Sequence, residues 1–135
     1  LETHWFQREF VAPVDQSLAQ ALVPGLDDDG HPVVPWFRAI VADGEVVGFV
    51  MVADPTEPSP EPYLWRLLVD RRHQRRGIGD RVLDLLIERY RAEGRTSMLV
   101  SWYPAAGGPE PFYLRRGFVP TGVIDDEEVE ARLVL

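Results

Sequence analysis

The chain contains no cysteine, which excludes disulfides, thiolate metal ligands and any covalent route through a cysteine nucleophile. Lysine is absent too, so all 14 basic residues are arginine; without lysine there is no Gly-Lys-Ser/Thr triplet and hence no P-loop. No run of about 18 apolar residues occurs, and the opening LETHWFQREF is too charged for the apolar part of a secretory signal. No membrane partner is expected, and a cytoplasmic location is the residual choice. Positive charge is scarce overall: the formal net charge is -8, a field that repels polyphosphate, so nucleic acid is not an expected partner.

What is present suits one domain over residues 1–135, with 45% hydrophobic and 27% charged residues, ordinary for a globular chain with a real core. Val14, Leu18, Ala21 and Leu22 recur at helical spacing, and Pro24-Gly25 stops that helix. After a loop at 26–35, WFRAIVA and EVVGFVMVA flank Asp43-Gly44, the pattern of a β-hairpin over 36–42 and 45–53. Proline-rich DPTEPSPEP, 54–62, reads as a surface connection, and YLWRLLV, 63–69, as a buried central strand. Ile78, Val82, Leu83, Leu86, Ile87 and Tyr90 predict a helix over 78–92 that Gly94 ends. A strand at 96–103, a short helical turn ending at Gly117 and a hairpin of FVPTGVI and VEARLVL around Asp125 to Glu128 complete the chain. The order predicts a mixed α/β sheet built around one β-α-β unit.

The most informative stretch is RRHQRRGIGD, 71–80. A strand that turns through Gly-x-Gly into a helix aims free backbone N–H groups at one point, where the helix dipole favours an anion. Glycine there permits close approach of a phosphate. Arg71, Arg72, Arg75, Arg76 and Arg81 sit at the positive end of that dipole, which makes sense if a bound polyanion offsets their repulsion. A lone Gly-x-Gly is equally the mark of a plain tight turn, and GIGDRV lacks the third glycine of the dinucleotide fingerprint.

A second signal, FYLRRGFVPTG at 112–122, follows one strand later. Together the two resemble the GNAT superfamily of N-acetyltransferases. The acetyl-CoA motif Q/R-x-x-G-x-G/A of that family is matched by Gln74, Arg75, Arg76, Gly77, Ile78 and Gly79. Its tyrosine four residues before Gly-Phe is matched by Tyr113 and Gly117-Phe118. The resemblance covers about residues 36 to 135. It implies an α+β fold, a mostly antiparallel central sheet flanked by helices, with a V-shaped splay between the two central strands. It also implies acetyl-CoA as cosubstrate and no metal. The loop amides from Arg75 to Asp80 would bind the pyrophosphate, and the strand end Leu67, Leu68 and Val69 would pair with the pantetheine as an added strand. One N–H of that strand would polarise the thioester carbonyl. Tyr113 would be the general acid that protonates the departing thiolate, with Phe112 beside it as a core aromatic.

The implied reaction is direct attack of a primary amine on the acetyl group. An alkylamine is protonated at neutral pH, and freeing it costs about 4 kcal/mol unless the site supplies a base or desolvation. His31, Glu57 and Glu61 are the loop candidates for that base; Trp65 and Arg66 are candidates for the acceptor pocket. Acidic clusters at Asp27 to Asp29, Asp54 to Glu61 and Asp125 to Glu130 favour a small cationic, polyamine-like acceptor if they line it, and solubility explains them equally well. In place of the asparagine common before the tyrosine helix the chain has PAAGGPEP. The chain opens on Leu1, and the segment before residue 36 is short for the family's first strand and two helices, so part of the acceptor-binding region is expected to be short or missing. A homodimer, common in the family, is left open. Two other readings stand beside the enzyme: a non-catalytic acyl-CoA-binding or sensing module of the same fold, and a plain α/β interaction domain with no affinity for CoA.

Overall fold

The computed structural model describes residues 34–57 and 60–135; the expected helix at 14–22 lies outside them. Six strands, β1 (Val34–Ala42), β2 (Glu45–Asp54), β3 (Tyr63–Val69), β4 (Ser97–Trp102), β5 (Val119–Asp125) and β6 (Glu128–Val134), form one sheet in the order β1-β2-β3-β4-β6-β5. Only β3 and β4 run parallel; between them in sequence lies α1 (Ile78–Ala92), and α2 (Glu110–Arg115) follows β4. The mixed, mostly antiparallel sheet expected from the sequence is the one found, with strand ends displaced by one or two residues. Both two-residue hairpin turns place their central residues at positive φ, Asp43 and Gly44 at 53° and 78°, Asp126 and Glu127 at 46° and 67°. Such turns match the twist of the flanking strands. Among the described residues no helix is long and apolar enough to cross a membrane.

One face of the sheet packs on α1. Val47, Val50, Val52, Leu64, Met98, Val100, Trp102 and Ala131 meet the helical stripe Val82, Leu83, Leu86, Ile87 and Tyr90 in one cluster. Each buried valine, leucine, isoleucine or methionine among them contributes about 1.5–3 kcal/mol. Phe49, Met51 and Leu68, also buried, fall on the opposite face by two-residue alternation, so the middle of β2 reads as a continuous apolar run with both faces out of water. Helix α1 ends in a Schellman motif: Gly94 stands at φ 81°, its N–H reaches Arg91 O at 3.0 Å, and Arg95 N–H reaches Tyr90 O at 2.9 Å.

The seam between β3 and β4 is short. Its register comprises Tyr63↔Leu99 and Leu64↔Val100 and goes no further. Against β2, Met51 pairs with Arg66 and Val52 with Leu64, so Trp65 is an extra residue, a β-bulge. A bulge bends and further twists the strand that carries it. Here it turns Leu67 to Val69 away from β4 and opens the sheet.

Candidate active site

The opened seam is the head of a cleft of about 530 Å³. One wall is the end of β3, with Trp65, Leu67, Leu68 and Val69; the turn into α1 supplies His73, Gln74, Arg75, Gly77, Ile78, Gly79 and Asp80. The facing wall is Ser101 and Trp102 of β4, then Gly107, Gly108 and Pro109, then Pro111, Phe112, Tyr113 and Arg115. Every residue assigned to the cofactor from the sequence therefore lines this cleft except Arg76.

The turn is held by contacts that sequence reasoning did not find. Asp70 is buried; its N–H donates to Val47 O at 2.5 Å, and its carboxylate accepts from the Arg72 N–H at 3.0 Å and pairs with the Arg72 guanidinium at 3.2 Å. The Gln74 amide donates to Val69 O at 3.1 Å. Arg76 reaches Asp43 on the β1–β2 turn at 2.5 Å and His73 Nδ1 at 2.8 Å, and His73 lies 3.5 Å from Glu45. The expectation that a bound anion alone offsets the arginine cluster needs correction for Arg72 and Arg76, whose partners are carboxylates of the chain itself. Arg75 stands at φ 64° and Gly77 at φ 74°, which curls successive N–H groups toward the cleft. Gly77 is the N-cap of α1 without a side-chain cap bond, and the first intrahelical donor is the Arg81 N–H. The amides of Ile78, Gly79 and Asp80 are thus outside the helical ladder. A Cβ on Gly79 would meet the Phe112 ring at 3.4 Å, so this glycine also lets the two walls approach. Diphosphate oxygens suit such a cradle of donors.

Tyr113 owes its place to the end of α2. Gly117 at φ 98° lets its N–H reach Leu114 O and the Phe118 N–H reach Tyr113 O, both at 3.1 Å, a second Schellman motif. In that motif the residue after the glycine packs on the residue five before it, and the Phe118 and Tyr113 rings meet edge-on at 5.5 Å. This is why a tyrosine four residues ahead of Gly-Phe has a fixed position. Trp102 stacks on Tyr113 at 5.6 Å and ties β4 to α2 through Nε1–H to Glu110 at 3.1 Å. Arg116 fastens the other end of α2 to Asp84 at 2.5 Å and Asp80 at 3.4 Å on α1. Phe112 was expected to be the core aromatic; the more buried ring is Tyr113, 6% exposed, while Phe112 is half-buried. Burial pushes the Tyr113 phenol well above its ordinary range, keeping it protonated.

The opposite side of the opened seam is polar. Tyr63 donates to Glu130 at 3.5 Å, and Thr121 donates to Glu130 at 2.9 Å. Burial is the main reason the Tyr63 phenol is pushed up to about 12, helped by the charges of Glu130, Glu128 and Asp125. Arg66 is largely buried, its Nε has no hydrogen-bond partner, and its charge faces Glu128. Burial raises the Glu128 carboxyl, against the pull of Arg66. Of the acceptor-pocket candidates, Trp65 lines the cleft and Arg66 does not. Glu61 is a structural anchor at the closed end of the seam: it takes two bonds from Arg132, at 2.7 and 3.0 Å, and one from Ser97 at 2.8 Å. The Arg132 bond holds its carboxyl below the usual range, so Glu61 is not a base in the cleft. Glu57 is exposed and does not line the cleft; His31 lies outside the described residues. Alternation could have flagged Tyr63, Ser101 and Glu130 as same-face neighbours, but only the β4–β6 register, which sets Ser101 opposite Glu130, brings them together. Among the described residues no group of three or more His, Asp or Glu is placed to hold a metal ion.

A parallel seam that parts over a donor-lined turn, with a buried tyrosine opposite, makes a cleft suited to an extended ligand that carries phosphate. Residues 3–118 match the acetyltransferase (GNAT) family, and the chain belongs to it. No functionally curated protein matches the chain in sequence. Among solved structures it is similar to the PaiA N-acetyltransferase of Thermoplasma acidophilum in complex with coenzyme A (17% identity over 75% of this chain, TM-score 0.66). The chain spans 61% of the length of that protein. It is also similar to a GNAT family acetyltransferase from Elizabethkingia anophelis with acetyl-CoA bound (14% identity, 93% of this chain and 86% of that one, TM-score 0.68). A third likeness is to an aminoglycoside 6'-acetyltransferase type Ii (18% identity, 74% and 68% covered, TM-score 0.61). At these identities the likeness is one of fold.

Proposed function

We propose that the chain transfers an acetyl group from acetyl-CoA to the primary amine of a small cationic acceptor by direct attack. The observation that carries this reading is the parting of β3 from β4 after two register pairs, directly above the turn at 74–80. Backbone groups of Leu67, Leu68 and Val69, released from β4, take the pantetheine amides as an added strand. The amides of Gly77 to Asp80, with Gln74 and Arg75, receive the pyrophosphate; Arg76 joins them when it leaves Asp43. A β3 N–H beside the bulge holds the carbonyl oxygen as negative charge develops on it. Tyr113 gives its proton to the leaving sulfur; desolvation raises the thiolate basicity as well, so the transfer is not opposed by the high phenol pKa alone. A polyamine-like acceptor, one domain over 1–135, a cytoplasmic setting and a homodimer go with this reading.

Acetyl-CoA titration calorimetry with a parallel melt tests the first half. Ligand at 100 times its dissociation constant adds about 2.7 kcal/mol, several degrees in Tm, and Arg75→Ala weakens it. Thiol release with an amine panel, compared between the parent and Tyr113→Phe, tests the second: acetyl-CoA affinity stays and kcat falls by about 10²-fold or more. Full activity in Tyr113→Phe removes the general-acid assignment. The packing of Tyr113 among Trp102, Phe112 and Phe118 favours a second reading, an acyl-CoA-binding or sensing module, in which the parent binds acetyl-CoA and releases no thiol.

A further inference from the structure

His73 lines the cleft, and nothing in the transfer reading uses it; Arg76 beside it is the one residue of the 74–79 motif that does not line the cleft. The two are bonded to each other. Arg76 Nη1 lies 2.8 Å from His73 Nδ1, and Arg76 Nη2 donates to Asp43 Oδ2 at 2.5 Å. A guanidinium has donors only and stays charged, so His73 Nδ1 is the acceptor and carries no proton. The ring is therefore neutral here, its one N–H on Nε2, 3.5 Å from Glu45 Oε2. The His73 side chain is 18% exposed, against 70% for Glu45 and 78% for Asp43. The imidazole is thus the enclosed end of the cluster, the end that meets the cleft.

Resting on the cofactor half of the reading above, we infer that His73 and Arg76 are a proton-linked pair that charges the cofactor site when the diphosphate arrives. A proton taken from solvent onto His73 Nδ1 sets an N–H against the Arg76 N–H and two like charges a hydrogen bond apart, so that bond breaks. Arg76 then keeps only Asp43, in an exposed pair worth little, and exchanges onto a phosphate oxygen, for which a guanidinium is well shaped. The imidazolium stays in the cleft wall with Glu45 as its counter-charge. The site gains one charge by protonation and a second by movement. Linkage makes the effect reciprocal: the proton tightens the diphosphate, and the diphosphate favours the proton. Affinity therefore rises as pH falls through the range in which imidazoles titrate. The charged groups around His73 are Glu45 on β2, Asp43 on the β1–β2 turn, Asp70 with Arg72 before it, Arg75, Arg76 and Asp80 after it, and Arg115 on the facing wall. Carboxylates and guanidinium groups as classes do not titrate between about pH 5.5 and 8.

The probe is dephospho-CoA, which keeps the diphosphate and lacks the phosphate monoester, whose own ionisation near about pH 6 would obscure the result. Its affinity for the full chain is measured by calorimetry from about pH 5.5 to 8, and near pH 6.5 in PIPES and in Bis-Tris, whose different heats of ionisation reveal protons taken up. In the parent, affinity rises about tenfold from the alkaline to the acid end, and binding takes up a large fraction of one proton. His73→Gln flattens the profile and abolishes the uptake. Arg76→Gln keeps the imidazole without the guanidinium it holds, and both pH dependence and uptake fall by about half or more. A parent whose affinity ignores pH overturns the pair. So does a His73→Gln chain with the parent's slope, which places the proton elsewhere, and an Arg76→Gln chain with the parent's slope, which leaves the imidazolium acting alone. Should His73→Gln fail to fold, the ring is read in the parent by NMR. Its Cε1–H resonance, assigned by replacing His4 and His31, the other two histidines, moves toward the imidazolium position as dephospho-CoA is added at constant pH; a stationary resonance overturns the pair. A parent that binds CoA but not dephospho-CoA overturns the pair and leaves the cofactor reading standing. One that binds neither overturns the cofactor reading itself, and the pair with it.

Discussion

Gly48 sits in β2 against the end of β3, paired with Val69, and an alanine there has nowhere to put its methyl group. The added Cβ would overlap Leu68 O and would stand 3.0 Å from Leu68 C and 3.1 Å from Val69 Cα. All three are backbone atoms, so no side chain can rotate aside. The end of β3 must retreat by roughly 1 Å to restore an ordinary C···O separation of about 3.3 Å. Overpacking of this kind costs about 1–3 kcal/mol, against which the reduced freedom of the unfolded chain returns about 0.4–1 kcal/mol. The clash wins, and Tm falls by several degrees. Because Leu68 and Val69 wall the cleft, the same shift weakens acetyl-CoA binding; about 1.4 kcal/mol of misfit is tenfold in affinity. Gly94→Ala is the control: it stands at φ 81° in open space, so it lowers Tm by strain alone and leaves binding intact. Thermal melts and acetyl-CoA calorimetry on the three proteins decide the matter. A Gly48→Ala chain that melts at or above the parent and binds as tightly refutes the argument.

Asp43→Asn breaks the ion pair to Arg76, whose partners are 78% and 45% exposed. Exposed pairs are worth little, so Tm barely moves while the freed guanidinium tightens acetyl-CoA binding several-fold; calorimetry showing unchanged or weaker binding counts against Arg76 as a latent phosphate ligand. Glu61 and Glu128 give opposite pH signatures in melts between pH 3 and 7. The Glu61 carboxyl is lowered, first by its bond from Arg132, so its stabilisation is present above the unfolded value and is lost as pH falls through the folded one. Glu61→Gln therefore lowers Tm at pH 7, and its effect fades as pH falls. The Glu128 carboxyl is raised by burial, so its charge opposes folding above the unfolded value; Glu128→Gln raises Tm at pH 7 and has no effect near pH 3. Equal effects of either variant at both pH values would contradict the assignment.

Much of the site was legible because its signals are local. The stripe from Ile78 to Tyr90 and the stop at Gly94 specify α1 within one stretch of chain, and Asp43-Gly44 specifies the first hairpin. Tyr113 and Gly117-Phe118 are one local device, a helix end that seats a ring. What needed the tertiary structure is everything set by pairing at a distance. That Trp65 is a bulge follows from its register against Met51 and Val52; the run YLWRLLV alone shows no break. Arg76 reads as a phosphate ligand until the β1–β2 turn folds beside it. Glu61 reads as a loop acid until Arg132, 71 residues away, closes on it. Ser101, Tyr63 and Glu130 lie on three strands and meet only because β6 inserts between β4 and β5. Local chemistry wrote the helix ends and turns; which strand bends and which acid finds which partner is decided by register, a property of the assembled sheet.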